Sequence, residues 1–189
     1  MAVKEKENIW NVPNILTLFR MALIPVFWFF MMTDREYIAL GVFAVASLTD
    51  LADGFIARKY NLITNFGKLM DPLADKLMVI SVMLSLVIRG VIPWPVLAIL
   101  LAKEGTMVYG GTVLFKNHVV VYSQWFGKLA QTVVVISLLS CFFREPLERA
   151  LGFPLHLWLV WLGLGLTLTA LTIYTVWAVK KYREVKAKK

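Results

Sequence analysis

The sequence is poor in charged residues, in cysteine and in histidine. Charged side chains make up 17% of its 189 residues, below the roughly 25% of an average soluble domain. Its one cysteine, Cys141, excludes an intramolecular disulfide. Hydrophobic residues make up 59% of the chain, and the mean hydropathy is +0.71. This composition indicates a protein that lives in a lipid bilayer.

Six apolar runs are long enough to cross the roughly 30 Å of bilayer hydrocarbon as helices. Polar or helix-breaking segments separate them, among them the charged turn at 34–36, Gly90 and the segment at 144–146. The sequence therefore predicts an all-α integral membrane protein, a bundle of six transmembrane helices forming a single domain of residues 1–189. The predicted helices are Pro13–Met32, Tyr37–Arg58, Phe66–Ile88, Pro93–Leu114, Trp125–Phe143 and Pro154–Val179.

The net charge of +8 could suggest nucleic acid, but the basic residues lie in short segments between apolar runs. Membrane orientation explains them better, so we expect no nucleic-acid partner. With six spans both termini lie on one side, and the positive-inside rule makes that side cytoplasmic. The basic residues assigned to it are Lys4, Lys6, Arg58, Lys59, Lys68, Lys116, Lys128 and the tail 180–189; the opposite loops contain Arg35, Arg89, Arg144 and Arg149.

Four aspartates stand at the cytoplasmic ends of the second and third predicted helices. Asp50 and Asp53 share one helix face at spacing i, i+3, and Asp71 and Asp75 share another at i, i+4. An ionised carboxylate in a span costs roughly 2.5 kcal/mol or more, so four facing ones need cations. Oxygen ligands without histidine or cysteine favour Mg²⁺ or Mn²⁺ over zinc, and four carboxylates are enough for two ions.

Each residue also has a purely structural interpretation. Asp71, followed by proline, could cap a helix, and Asp75 could pair with Lys76 or Lys103. Gly54 could allow close helix packing, and Arg58 could be a charge that sets topology. Taken together, these interpretations do not explain two facing acidic pairs with a glycine beside each.

The region resembles the motif of the CDP-alcohol phosphatidyltransferase family, Asp-x2-Asp-Gly-x2-Ala-Arg-x8-Gly-x3-Asp-x3-Asp. The fixed positions are Asp50, Asp53, Gly54, Ala57, Arg58, Gly67, Asp71 and Asp75. The resemblance implies transfer of a phosphatidyl group from CDP-diacylglycerol to an alcohol with release of CMP, in a membrane enzyme that works as a homodimer.

The resemblance also implies roles for these residues. The four aspartates would hold Mg²⁺ or Mn²⁺, two ions in all, and Asp75 would also act as general base on the acceptor hydroxyl. Small residues and a cation would surround the cytidine nucleotide. The implied nucleotide-binding residues are Thr17, Asp53, Gly54, Ala57, Arg58 and Gly67.

A polar stripe runs along the first helix, where Asn14, Thr17 and Arg20 recur at spacing three. It resembles the Asn-x-x-Thr-x-x-Arg entry of bacterial members of the family, and polar groups inside a span favour a functional cavity. The alternative is that Asn14 caps the helix and Arg20 snorkels to the interface.

The acceptor is less well defined than the donor. The stretch 60–76 resembles enzymes that use glycerol 3-phosphate, for which the acceptor-binding candidates are Arg20, Lys68, Lys103 and Lys128. However, Lys103 stands where an arginine is usual, which gives up bidentate phosphate recognition. The run 38–44 looks like that of cardiolipin synthases, which use phosphatidylglycerol. A divalent-cation transporter is the alternative of another class, but the repeats of many transporters are not evident.

Overall fold

The computed structural model describes residues 11–60, 62, 64–116 and 125–187. Within these ranges all regular secondary structure is helical. The helices are α1 (Val12–Met32), α2 (Glu36–Lys59), α3 (Asn65–Ile88), α4 (Trp94–Lys116), α5 (Trp125–Phe142), α6 (Arg144–Leu151) and α7 (Leu155–Ala187).

Five of the six predicted helices agree with the structure within two residues at each end. The sixth, α7, continues eight residues beyond the predicted Val179, to Ala187. The segment 144–146 does separate α5 from α7, as predicted, but it is itself helical and begins the short helix α6. Pro146 is tolerated there since it lies in the first turn, where backbone N–H groups have no intrahelical acceptor.

Local capping sets the boundaries of several helices. The Asn11 side chain accepts a hydrogen bond from the Asn14 N–H at 3.0 Å and caps α1, with Pro13 in the first turn. α3 ends in a Schellman motif, in which Val91 N–H bonds Leu86 O and Gly90 N–H bonds Val87 O, both at 2.9 Å. Gly90 adopts φ +71°, a conformation that costs glycine little.

Alongside apolar residues, the helices bury several polar groups, and they expose many large apolar side chains. On α1, Thr17 and Arg20 are 0% and 1% exposed, whereas Phe29 and Met32 are 62% and 64% exposed. Large exposed apolar surface indicates lipid contact. The described ranges hold five helices long and apolar enough to cross a membrane: α1, α2, α4, α5 and α7. α3 is not among them; its first turns contain Asp71, Asp75 and Lys76.

The chain divides into two compact units, residues 1–85 and 86–189. In the first unit, α1 packs along α2, and the body of α3 belongs with them. In the second unit, α7 packs mainly on α5 and also contacts α4 and α6. The acidic residues and the polar stripe of α1 all belong to the first unit.

Candidate active site

The polar stripe of α1 is buried along its whole length. Asn14, Thr17 and Arg20 are each at most 2% exposed, and the buried face continues through Phe27 and Met31. Both alternatives suggested by the sequence are therefore wrong: Asn11, not Asn14, caps the helix, and the Arg20 side chain is buried instead of extending outward. A buried polar stripe on a lipid-facing helix requires polar partners from α2 and α3.

Arg20 supplies the centre of the acidic cluster. Its Nη1 contacts Asp50 Oδ1 at 2.9 Å and also pairs with Asp75 Oδ1, while its Nη2 pairs with Asp53 Oδ2. One guanidinium from α1 thus joins two carboxylates of α2 to one of α3. Among the described residues, the Arg20 Nε is buried and has no hydrogen-bond partner.

The fourth aspartate, Asp71, contacts Thr17 instead of Arg20. The Thr17 hydroxyl lies within hydrogen-bonding distance of both Asp71 Oδ1 and Pro13 O. It has one proton, and donation to a carboxylate is the stronger of the two bonds. Thr17 therefore orients Asp71, and with Arg20 it ties all four aspartates to α1.

A second polar group lies beside Asp71 at the start of α3. The Thr64 hydroxyl donates to Asn14 Oδ1 at 3.1 Å and accepts from the Gly67 N–H at 3.0 Å. A Cβ atom on Gly67 would lie only 2.7 Å from Asn14 Oδ1 and 3.6 Å from Asp71 Oδ2. α1 and α3 approach each other closely at Gly67, and a larger side chain would not fit there without a shift of its neighbours.

The other end of this group is the cap of α1. The Asn11 Nδ2 donates to Leu62 O at 3.1 Å and so ties the start of α1 to the segment between α2 and α3. Asn11 and Thr64 are both buried. Sequence analysis missed both residues, although a buried role for Asn11 could have been anticipated from its place one turn before Asn14 in the polar stripe.

The interpretation of Asp71 as a helix cap is wrong. Asp71 lies inside α3, two turns after its start, and so does not cap it. Asp75 pairs with Arg20, and Lys103 forms an ion pair with its neighbour Glu104 at 2.6 Å. The acidic residues are therefore held by α1, through contacts that no spacing within α2 or α3 encodes.

The chemistry of the donor set fits a divalent cation. All four candidate ligands are carboxylates, which Mg²⁺ and Mn²⁺ prefer, and three of them already converge on one cation, Arg20. Arg20 offsets one of the four negative charges. Among the described residues, no three Asp, Glu, His or Cys side chains stand at metal-coordinating positions; the Arg20 guanidinium lies between three of the four carboxylates.

The remaining predicted residues differ in how well the structure places them. Gly54 and Ala57 follow Asp53 on α2 and are half-buried. The side chains of Arg58 and Lys68 lie outside the described parts of the structure, so their assignments stay predictions. Lys4, Lys6, Lys188 and Lys189 lie outside the described residues altogether.

Lys103 lines a cavity of about 290 Å³ in the second unit, between α4, α5 and α7. The cavity is also lined by the amide side chain of Gln131 and the hydroxyl side chain of Thr167, which is only 4% exposed. Lys128 is exposed on α5 and does not line this cavity. Sequence analysis did not select Gln131 or Thr167, although a polar side chain inside a predicted span is a sign of a functional site.

Comparison with known proteins identifies relatives over nearly the whole chain. The family model described as CDP-alcohol phosphatidyltransferase matches residues 10–188. The CDP-diacylglycerol--glycerol-3-phosphate 3-phosphatidyltransferase of Bacillus subtilis is 31% identical over 176 residues, covering 85% of this chain and 91% of its own. A probable phosphatidylglycerophosphate synthase of Mycobacterium tuberculosis H37Rv is 34% identical, covering 80% and 72%. Rat cardiolipin synthase is 38% identical over 108 residues, covering 57% of this chain but 36% of its own.

Proposed function

Since the chain belongs to the CDP-alcohol phosphatidyltransferase family, we propose that it transfers a phosphatidyl group from CDP-diacylglycerol to glycerol 3-phosphate, releasing CMP and forming phosphatidylglycerophosphate. The observation that carries the proposal is the cluster of Asp50, Asp53, Asp71 and Asp75, which α1 gathers through Arg20 and Thr17. A divalent-cation transporter would not account for membership of this family.

The four aspartates would hold Mg²⁺ or Mn²⁺, two ions in all. When bound, these ions offset the negative charge of the pyrophosphate and of the departing CMP. Thr17 orients Asp71 for this purpose, and the short side chains at Gly54, Ala57 and Gly67 leave room for the nucleotide close to the backbone. Arg58 would pair with a phosphate of the nucleotide.

The side chain of Asp75 is 41% exposed, whereas that of Asp53 is 3% exposed. Exposure does not separate Asp75 from Asp50, whose side chain is 40% exposed, so the role of general base is proposed from the family resemblance, which gives it to Asp75. Asp75 would accept the proton of the acceptor hydroxyl as that oxygen attacks the phosphorus bearing the diacylglycerol. The bond from this phosphorus to the CMP oxygen breaks, and CMP leaves with the electron pair.

The acceptor is assigned from coverage and charge. The two relatives named for glycerol 3-phosphate transfer or phosphatidylglycerophosphate synthesis match over most of their length, whereas the cardiolipin synthase matches over about a third. Lys103, in a cavity with Gln131 and Thr167, offers a cation and two hydrogen-bonding groups to the acceptor phosphate. Lys68 and Lys128 are further proposed acceptor-binding residues.

In the membrane, we propose that α3 crosses in addition to the five helices α1, α2, α4, α5 and α7, which gives six spans and places both termini in the cytoplasm. The aspartates would then lie at the cytoplasmic ends of α2 and α3. Water-soluble CMP could then depart while the diacylglycerol stays in lipid. Lys180, Lys181 and Arg183 in the last part of α7 give this side the positive charge expected of a cytoplasmic face.

We also propose that the protein forms a homodimer. The mass of the detergent-purified protein would test this.

One assay tests the reaction and the acceptor together. Purified protein with Mg²⁺ or Mn²⁺ is given radiolabelled CDP-diacylglycerol and either glycerol 3-phosphate or phosphatidylglycerol. The proposal predicts CMP release and phosphatidylglycerophosphate with the first acceptor, and no product when the metal is removed by EDTA. Cardiolipin as the product would select the alternative acceptor, and absence of CMP with either acceptor would reject phosphatidyl transfer.

A further inference from the structure

Arg20 is a singly charged group bonded to oxygen atoms that a divalent ion also requires. Its guanidinium contacts Asp50, Asp53 and Asp75, which are three of the four proposed metal ligands. Any ion bound by these carboxylates would lie within a few ångström of the guanidinium in this position, where like charges repel. The guanidinium and the metal ion therefore compete for the same carboxylates.

The position of Arg20 among the aspartates satisfies the side chain only in part. Both Nη atoms have carboxylate partners, but the buried Nε has no hydrogen-bond partner in the part of the chain that the structure describes. A buried donor without an acceptor weakens the hold of the site on the side chain. Arginine also has a long side chain that can change rotamer while the backbone of α1 stays in place.

We propose that Arg20 is a displaceable counterion of the aspartate cluster: binding of a divalent cation to the carboxylates requires its guanidinium to move away. This inference rests on the proposed metal-dependent function and adds that the metal ion binds before Arg20 contacts the substrate. The displaced guanidinium, no longer held by three carboxylates, becomes free to donate two parallel hydrogen bonds to a phosphate group of a substrate. The predicted role of Arg20 in binding an anionic acceptor would then follow metal binding.

Arg20 could instead support metal binding, and this alternative makes the proposal testable. A guanidinium that merely holds the carboxylates in place for the metal would strengthen metal binding, as groups that orient ligands do. A competing guanidinium weakens it. Removal of the charge at position 20 therefore changes the metal affinity in opposite directions under the two roles.

The experiment measures Mn²⁺ binding to purified protein, with free Mn²⁺ followed by electron paramagnetic resonance and no substrate present. Arg20→Gln should lower the Kd for Mn²⁺ by about tenfold or more, since it removes charge-assisted contacts from the ligands. Arg20→Lys keeps the charge but loses the two-pronged guanidinium group, so its Kd for Mn²⁺ should lie between those of Arg20→Gln and the wild type. The control Arg149→Gln removes an equal charge from the exposed Glu145 pair on α6 and should leave the Kd unchanged.

An unchanged or weaker Mn²⁺ affinity in folded Arg20→Gln would overturn the proposal while leaving metal-dependent transfer intact. Absence of Mn²⁺ binding to the wild-type protein would instead reject the metal site itself and the inference with it. If Arg20→Gln does not fold, wild-type protein labelled with ¹⁵N-arginine provides the test. Addition of Mg²⁺ should shift the Arg20 Nε–H resonance, assigned by its absence in Arg20→Lys, and an unmoved resonance would overturn the proposal.

Discussion

At the scale of single residues, the four aspartates share one functional group but differ in access to solvent. Asp53 is 3% exposed and lies against Arg20, whereas the side chains of Asp50 and Asp75 are 40% and 41% exposed. Only an accessible carboxylate can meet the hydroxyl of an entering acceptor. Exposure therefore argues against Asp53 as the general base, but it does not distinguish Asp75 from Asp50.

The first prediction concerns the base. Asp75→Asn should lower kcat by about a hundredfold or more, since a general base typically contributes 10²–10⁴-fold, while CDP-diacylglycerol binding stays measurable by calorimetry. Asp34→Asn, in the turn between α1 and α2, is the matched control and should keep wild-type turnover, because asparagine tolerates its positive φ. Wild-type turnover in Asp75→Asn would remove this residue from the mechanism.

The second prediction concerns the close approach of α1 and α3. Gly67→Ala should lower the free energy of unfolding by about 1–3 kcal/mol and reduce activity, because its Cβ would lie 2.7 Å from Asn14 Oδ1, beside Asp71. Thermal unfolding in detergent measures the first effect. Gly41→Ala, on α2 with no atom near the added Cβ, should be neutral or slightly stabilising. Equal stability and activity of the two variants would contradict the packing role of Gly67.

At the scale of the elements, α1 determines the geometry of the site although the family motif lies on α2 and α3. Its cap, Asn11, contacts the segment between those helices, and Thr17 and Arg20 contact the aspartates themselves. α7, like α1, contains none of the motif. With 33 residues it is about 50 Å long, well beyond the thickness of bilayer hydrocarbon.

The third prediction belongs to α4. Lys103→Ala should raise KM for glycerol 3-phosphate about tenfold, the typical worth of one charge-assisted hydrogen bond, and leave KM for CDP-diacylglycerol unchanged. Lys103→Arg should retain most of the affinity, since it keeps the charge in the cavity. Lys181→Ala removes a lysine that lies over the Trp177 ring on α7 and should change neither KM. An unchanged KM for glycerol 3-phosphate in Lys103→Ala would place the acceptor phosphate elsewhere.

At the scale of the whole molecule, the chain is an integral membrane protein that exposes many large apolar side chains and, in its first unit, buries the charged pair of Arg20 and Asp53. The family model covers residues 10–188 and so extends over both compact units. The single domain of 1–189 stays a prediction, as does the crossing of the membrane by α3.

The fourth prediction tests this topology. A Cys141→Ser background removes the one native cysteine, and single cysteines are then introduced at exposed positions. With six spans, an impermeant maleimide should label Thr33→Cys and Trp94→Cys on intact cells, but Lys59→Cys and Arg183→Cys only after permeabilisation. Labelling of positions 59 and 94 from the same side would show that α3 does not cross.

By itself the sequence determined the membrane class, the bounds of most helices and the four aspartates, because each depends on local features: apolar run length, caps and spacing along one helix. It also selected Thr17 and Arg20 as polar residues inside a span. It did not determine their partners, since Arg20 and Asp75 lie 55 positions apart and Thr17 and Asp71 lie 54 apart. Only the packing of α1 against α2 and α3 decided that Arg20 joins three carboxylates and that Gly67 must be small, because helical periodicity specifies which face is polar but not what that face contacts.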